Sequence, residues 1–223
     1  MSMPILFFAA GMGTRMGALT ETVPKPLIPV AGKPLIDHAL EIAAAARIER
    51  QVVNLHYRGQ MIKDHLRGQP IIFSDESDAL LETGGGLRKA LPLLDGNPVL
   101  TMNTDAVWKG PNPVQCILQS WRPEMEALLL IIEKPNVHGH LGKGDFRING
   151  DGRLHRAPEE IYTGLQIIRT DVLGEIPETA FSMNLAWNLI ASRGGLYGTT
   201  YPGQWCDVGQ PSSIAAAEAM LDV

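Results

Sequence analysis

Cysteine is nearly absent from this chain, with Cys116 and Cys206 the only two among 223 residues. Two thiols so far apart offer neither a disulfide framework nor a zinc cluster, and a reducing, cytoplasmic setting is the expectation. Aromatic residues are sparse at 6%. No cluster of Lys and Arg interrupts a formal net charge of -5, which argues against a nucleic-acid-binding surface. Long apolar runs are missing as well, since nothing approaches the roughly 20 residues of a membrane span. The apolar run near the N-terminus has no basic residue before it and is broken by Gly11-Met12-Gly13-Thr14-Arg15, a pattern unlike a signal peptide. What remains is an acidic chain of ordinary hydrophobicity, long enough for a substantial core. If such a chain binds an anion, it must gather its few cations locally or recruit a metal.

The densest local signal follows the apolar run Ile5-Leu6-Phe7-Phe8, the length of one buried strand. Gly11 and Gly13 leave backbone N–H groups free to turn towards an anion, with Ala10 and Thr14 in the same loop. Arg15 adds a planar cationic fork, and Lys25, within Pro24-Lys25-Pro26, adds a point charge. Two familiar phosphate loops fail here. A dinucleotide fingerprint requires a third glycine where the chain has Met16, and a P-loop requires Gly-Lys-Ser/Thr where it has Met16-Gly17-Ala18.

Short apolar runs alternate with helical patterns through the first half. Strands are predicted at Ile5–Ala9, Gln51–Leu55, Ile71–Ser74 and Val99–Met102, with helices at Leu35–Ala46, Gln60–Leu66 and Gly84–Leu91. That alternation predicts an α/β fold of three layers, α/β/α, around a Rossmann-like, mostly parallel sheet. In such sheets ligands sit beyond the carboxyl ends of the strands, the rim that receives both the Gly11–Arg15 loop and Asp105. The second half is less regular. Its strands are predicted at Ala127–Glu133, Tyr162–Arg169 and Leu196–Tyr201, with a hairpin of Phe146–Ile148 and Leu154–Arg156. Helices are expected at Val114–Trp121, Leu185–Ser192 and Ser212–Leu221. Residues 1–223 read as one domain with two functional lobes, the first running to about residue 110.

Asp105, in Asn103-Thr104-Asp105, and Asp207, in Trp205-Cys206-Asp207-Val208-Gly209, are candidates for a shared site. Two carboxylates suit Mg²⁺, which binds through one or two of them plus phosphate oxygens and water. Leu81-Glu82-Thr83-Gly84-Gly85-Gly86 reads as a helix start with Thr83 as its cap. His138 and His140 lie two apart without an evident third ligand, so no metal is assigned to them. Cys206 reads as a small apolar neighbour of Asp207, and no nucleophile elbow appears.

Gly11-x-Gly13-x-Arg15 with Pro24-Lys25-Pro26, a strand-borne Asp105 and the late Trp-x-Asp-Val-Gly together resemble the sugar-1-phosphate nucleotidyltransferases, over essentially the whole chain. The resemblance implies a nucleotide-diphospho-sugar transferase fold and transfer of a nucleotidyl group from a nucleoside triphosphate to a sugar 1-phosphate. It places Mg²⁺ on Asp105 and Asp207, the leaving phosphates on Arg15, and Lys25 at the reacting centre. Catalysis would rest on Arg15, Lys25 and Asp105. Ala10, Gly11, Gly13, Thr14, Glu82 and Gly84 would line the nucleotide, with Glu82 either orienting the base or complementing a helix N-terminus. Lys134, in Glu133-Lys134-Pro135, Asp145 and Gly164 would face the sugar. Thr104 departs from the pattern by adding a Cβ where the family generally has glycine.

Within the family, Leu-Glu-Thr-Gly-Gly-Gly and Gly144-Asp145-Phe146 after a Gly/His loop look most like the branch acting on UTP and N-acetylmuramate 1-phosphate. The alternatives are a guanylyl- or other nucleotidyltransferase of a hexose 1-phosphate, or a non-catalytic nucleotide-sugar binder. The presence of Arg15, Lys25, Asp105 and Asp207 together weighs against the last. No nucleic-acid or membrane partner is expected, and the sequence leaves the oligomeric state open.

Overall fold

A computed structural model describes residues 3–223. Seven strands form its central sheet: Ile5–Phe8 (β1), Gln51–Leu55 (β2), Ile71–Asp75 (β3), Val99–Asn103 (β4), Ala127–Ile132 (β5), Ile161–Ile168 (β6) and Leu196–Thr200 (β7). They lie in the order β7-β5-β6-β4-β1-β2-β3. All are parallel except β6, which runs antiparallel to both β4 and β5. The expected mostly parallel α/β sheet is therefore what the chain forms.

The strands are apolar on both faces because both are covered. In β5, Leu128, Leu130 and Ile132 join one core, and Ala127, Leu129 and Ile131 join the other. The first core takes Ile36, Ala39, Leu40 and Ala43 of helix α1 (Leu35–Ala45), Ile62 of α2 (Gly59–His65), and Val114 and Ile117 of α4 (Pro113–Ser120). The second takes Leu87, Ala90 and Leu94 of α3 (Glu82–Leu94), and Ala186, Trp187 and Ile190 of α5 (Met183–Ser192). Burying each such Leu or Ile contributes roughly 1.5–3 kcal/mol, so the two cores set the three-layer arrangement.

A small second sheet was not legible in the sequence. Ala106–Lys109 pairs antiparallel with Gln204–Asp207, which pairs in parallel with Val137–His138. Helix α6 (Ser212–Leu221) covers it through Ala217 and Met220, in a third apolar cluster with Val107, Cys206 and Val208.

The helix start expected at Thr83 is corrected. Helix α3 begins at Glu82, and no side chain caps it. Thr83 instead accepts the Met183 N–H on Oγ1 at 3.0 Å. The N–H groups of Gly84 and Gly85 in its first turn are satisfied by the Phe181 carbonyl at 2.8 and 3.1 Å. A cap supplied by a distant segment leaves no local signature.

Candidate active site

The pairing of β1 with β4 matches Phe8 with Asn103, so the two loops that follow these strands emerge side by side. The first is fastened at its start. Asn54, one strand over, accepts the N–H groups of Ala9 and Ala10 on Oδ1 at 2.7 and 3.2 Å. Gly13 then turns in the left-handed region at φ 65°, and a Cβ there would stand 2.9 Å from the Cβ of Lys25 and from the Thr20 methyl. A side chain would fit neither the backbone nor the space, which explains this glycine without reference to a ligand. Thr20 closes the loop by donating its hydroxyl to the carbonyls of Gly13 and Gly17, each at 3.1 Å.

Lys25 follows on a short 3-10 turn, Lys25–Leu27. It is buried, and its Nζ donates to Asp105 Oδ2 at 2.8 Å. Thr104, where a glycine was expected, is buried with its hydroxyl donating to the Phe8 carbonyl at 2.8 Å. Its side chain ties β4 to β1, and this bond accounts for the departure.

The second sheet brings the other carboxylate to the rim. Asp207 pairs with Ala106, and the Val208 N–H donates to the Asp105 carbonyl at 2.8 Å. Residues 102 positions apart thus become neighbours. Burial, and next the charge of Asp105, raise the Asp207 carboxyl above its ordinary value. His140 Nδ1 lies 3.2 Å from Asp207 Oδ2 and counters that rise. Arg15 reaches the same place: a Cβ on Gly209 would lie 3.3 Å from Arg15 Nη1 and 3.2 Å from Asp207 Oδ1. Cys206, beside them, is fully buried, and burial pushes its thiol up to about 12, which makes it a packing residue.

This donor set fits a hard divalent cation. Asp105 and Asp207 repel one another in a partly buried setting, and a cation between them would relieve both charges. Among the described residues no group of three or more His, Cys, Asp or Glu could hold a metal. Phosphate oxygens and water would therefore complete the shell, as Mg²⁺ prefers.

Two depressions adjoin the glycine loop, and Asp105 lines the first. One of about 180 Å³ is lined by Gly11, Lys25, Thr83, Asn103, Thr104 and Asp105. The other, of about 340 Å³, is lined by Ala10, Gly11, Asn54, Leu80, Glu82 and Ser182, among others. Glu82 therefore faces a cavity continuous with the glycine loop. Gly84 does not: it is buried, and a Cβ there would overlap the Phe181 ring.

The three residues expected at the sugar lie in the second half of the chain, Gly164 on β6, Lys134 on a 3-10 turn and Asp145 just before the hairpin. Gly164, at φ 86°, presses on Asn103, where a Cβ would meet the side chain at 2.8 Å. Lys134 Nζ donates to the Pro158 carbonyl at 2.8 Å, and Asp145 Oδ2 accepts the Tyr162 N–H at 3.0 Å. Sequence reasoning set His140 aside as a metal ligand and missed Asn54. Nothing in the sequence tied His140 to Asp207, 67 residues away. Asn54 was visible as the one polar residue inside the apolar run Val52-Val53-Asn54-Leu55.

Residues 5–146 match the family described as the MobA-like NTP transferase domain. An N-acetylmuramate alpha-1-phosphate uridylyltransferase of Caulobacter vibrioides is 37% identical across 97% of this chain and 96% of its own. One from Neisseria meningitidis is 34% identical across 98% of both. A mannose-1-phosphate guanyltransferase of Eremothecium gossypii is 27% identical, over 96% of this chain and 63% of its own. Among solved structures, a putative glucose-1-phosphate thymidylyltransferase of Bacillus anthracis superposes with a TM-score of 0.83 at 18% identity, over 98% of this chain and 95% of that one. At that identity the likeness speaks to the fold.

Proposed function

The chain belongs to the MobA-like NTP transferase domain family and is a sugar-1-phosphate nucleotidyltransferase, and from that premise we propose that it transfers the uridylyl group of UTP to N-acetylmuramate 1-phosphate, releasing pyrophosphate. The observation that carries the chemistry is the convergence of Lys25, Asp105, Asp207 and Arg15 on one strand rim, beside the fastened glycine loop. The choice of substrates rests on the relatives. Two uridylyltransferases match at 37% and 34% identity over nearly the whole of both chains, whereas the guanyltransferase matches at 27% over part of its own.

In this reading the loop from Gly11 to Thr14 holds the triphosphate through backbone N–H groups, and the cavity past Ala10, Glu82 and Ser182 receives the base. The sugar phosphate oxygen attacks the α-phosphorus in line, already ionised and needing no general base. Asp105 and Asp207 would hold Mg²⁺, which when bound offsets charge on the triphosphate. Lys25 neutralises charge at the reacting phosphate, and Arg15 holds the leaving pyrophosphate. Positioning and charge stabilisation supply the acceleration. We place the reaction in the cytoplasm, where nucleoside triphosphates are made; among the described residues no helix is long and apolar enough to cross a membrane.

The test is pyrophosphate release by purified protein across a grid of nucleoside triphosphates and sugar 1-phosphates. UTP with N-acetylmuramate 1-phosphate should rank among the best pairs. A better rate with GTP and mannose 1-phosphate would replace the substrate assignment. Absence of release from every pair would leave a binder.

A further inference from the structure

The acceptor in this reading differs from most sugar 1-phosphates in carrying a carboxylate besides its phosphate, so its site needs a second cation. We propose that Arg156 is that cation, the residue that recognises the carboxylate of the acceptor sugar. The inference rests on the proposed acceptor and adds a residue to it.

Arg156 ends the second strand of the hairpin Leu154–Arg156. Its guanidinium lies over the rings of Phe146 and Trp187, 4.5 and 5.5 Å from their centroids. Nη2 donates to Asn184 Oδ1 at 2.6 Å, Asn184 donates to the Ser182 hydroxyl at 3.0 Å, and Ser182 lines the cavity beside the glycine loop. The two residues after Arg156 hold two of the residues expected at the sugar. Lys134 is bonded to the Pro158 carbonyl, and the Asp145 carbonyl accepts the Ala157 N–H at 3.3 Å. Arg156 thus sits within two residues of both attachment points, and Asn184 links it to Ser182 at the nucleotide cavity.

Among the described residues Arg156 has no ion-pair partner of its own. Neighbouring arginines are paired, Arg153 with Asp151 at 2.5 Å and Arg147 with Glu159 at 3.6 Å. The acid whose charge reaches Arg156 is Asp145, and one oxygen of that carboxylate is already taken by the Tyr162 N–H. Arg156 is exposed, so an anion can reach its guanidinium from solvent while one face rests on the rings. A planar fork fixed at one nitrogen and stacked on rings is preorganised to receive a carboxylate, a task a flexible lysine performs less well.

The experiment measures kcat/KM for two acceptors, N-acetylmuramate 1-phosphate and N-acetylglucosamine 1-phosphate, which lacks the carboxylate-bearing ether, in the wild type, Arg156→Gln and Arg156→Lys. Arg156→Gln should lower kcat/KM for the carboxylated acceptor roughly 10- to 100-fold, the span of a hydrogen bond to a charged group, mainly through KM. The uncharged acceptor should change little, and that unchanged rate also reports an intact fold. Arg156→Lys should restore part of the loss. An equal fall for both acceptors, or no fall for either, overturns the assignment. A wild type that does not favour the carboxylated acceptor overturns the substrate reading itself, and this inference with it.

Discussion

Asn54 donates its side-chain N–H to Glu76 Oε1 at 2.8 Å, and both residues are shut away from water. The bond orients the amide so that its oxygen faces the Ala9 and Ala10 N–H groups. Asn54→Ala removes all three hydrogen bonds and strands two buried donors and a buried acid. The expected cost is roughly 2–4 kcal/mol in urea unfolding, with a loss of turnover in the fraction that still folds. An unchanged midpoint would show that the loop is held by other means.

Glu76 itself should make stability depend on pH. It is fully buried, Oε2 has no hydrogen-bond partner, and burial raises its carboxyl above the ordinary value. A raised folded value means the acid costs nothing below its unfolded pKa. The penalty grows as pH climbs through the folded one. Glu76→Gln keeps the acceptor for Asn54 and removes the charge. Its melting temperature should exceed the wild type's at pH 8, and the two should converge near pH 4. A gain that persists at pH 4 would point to packing.

Lys25→Ala and Asp105→Ala should each lower kcat by about 10²–10³, the usual cost of one charge partner at a transition state. Far-ultraviolet circular dichroism should be unchanged. Near-normal pyrophosphate release by Asp105→Ala would dismiss the assigned centre.

Gly84→Ala tests a structural demand. The new methyl would overlap the Phe181 ring and stand 2.9 Å from the Phe181 carbonyl. Overpacking of this kind costs about 1–3 kcal/mol. Pairing it with Phe181→Leu should recover part of that loss in a double-mutant cycle. The carbonyl contact keeps the recovery incomplete.

Chelation should abolish turnover, and added Mg²⁺ should restore it. In differential scanning fluorimetry, Mg²⁺ with UTP should raise the melting temperature more than UTP alone, since only then are the Asp105 and Asp207 charges offset. Equal shifts would argue against a metal on these carboxylates.

The long apolar runs and their alternation with helices made the central sheet legible, because both depend on short-range periodicity. The glycine loop and Asp105 could be placed on one rim by the same logic. The second sheet could not be found so easily. Its strands are two to four residues long and come from three distant parts of the chain. Only their pairing brings Asp207 to Asp105 and His140 to Asp207. Thr83 failed as a cap because the carbonyl of Phe181, far along the chain, satisfies the helix start, and tertiary contacts of that kind carry no local pattern. Arg156 was hidden for the same reason, since only folding sets the hairpin against Trp187 and Asn184.

The second sheet also sets a temporal order. Asp105 lies near the middle of the chain, while Asp207 sits on a strand at Gln204–Asp207 that α6 then covers. The residues that line the two cavities end at Ser182, so the second carboxylate of the proposed centre is made after all of them. The pairing of Asp207 with Ala106 is the contact that would complete that centre.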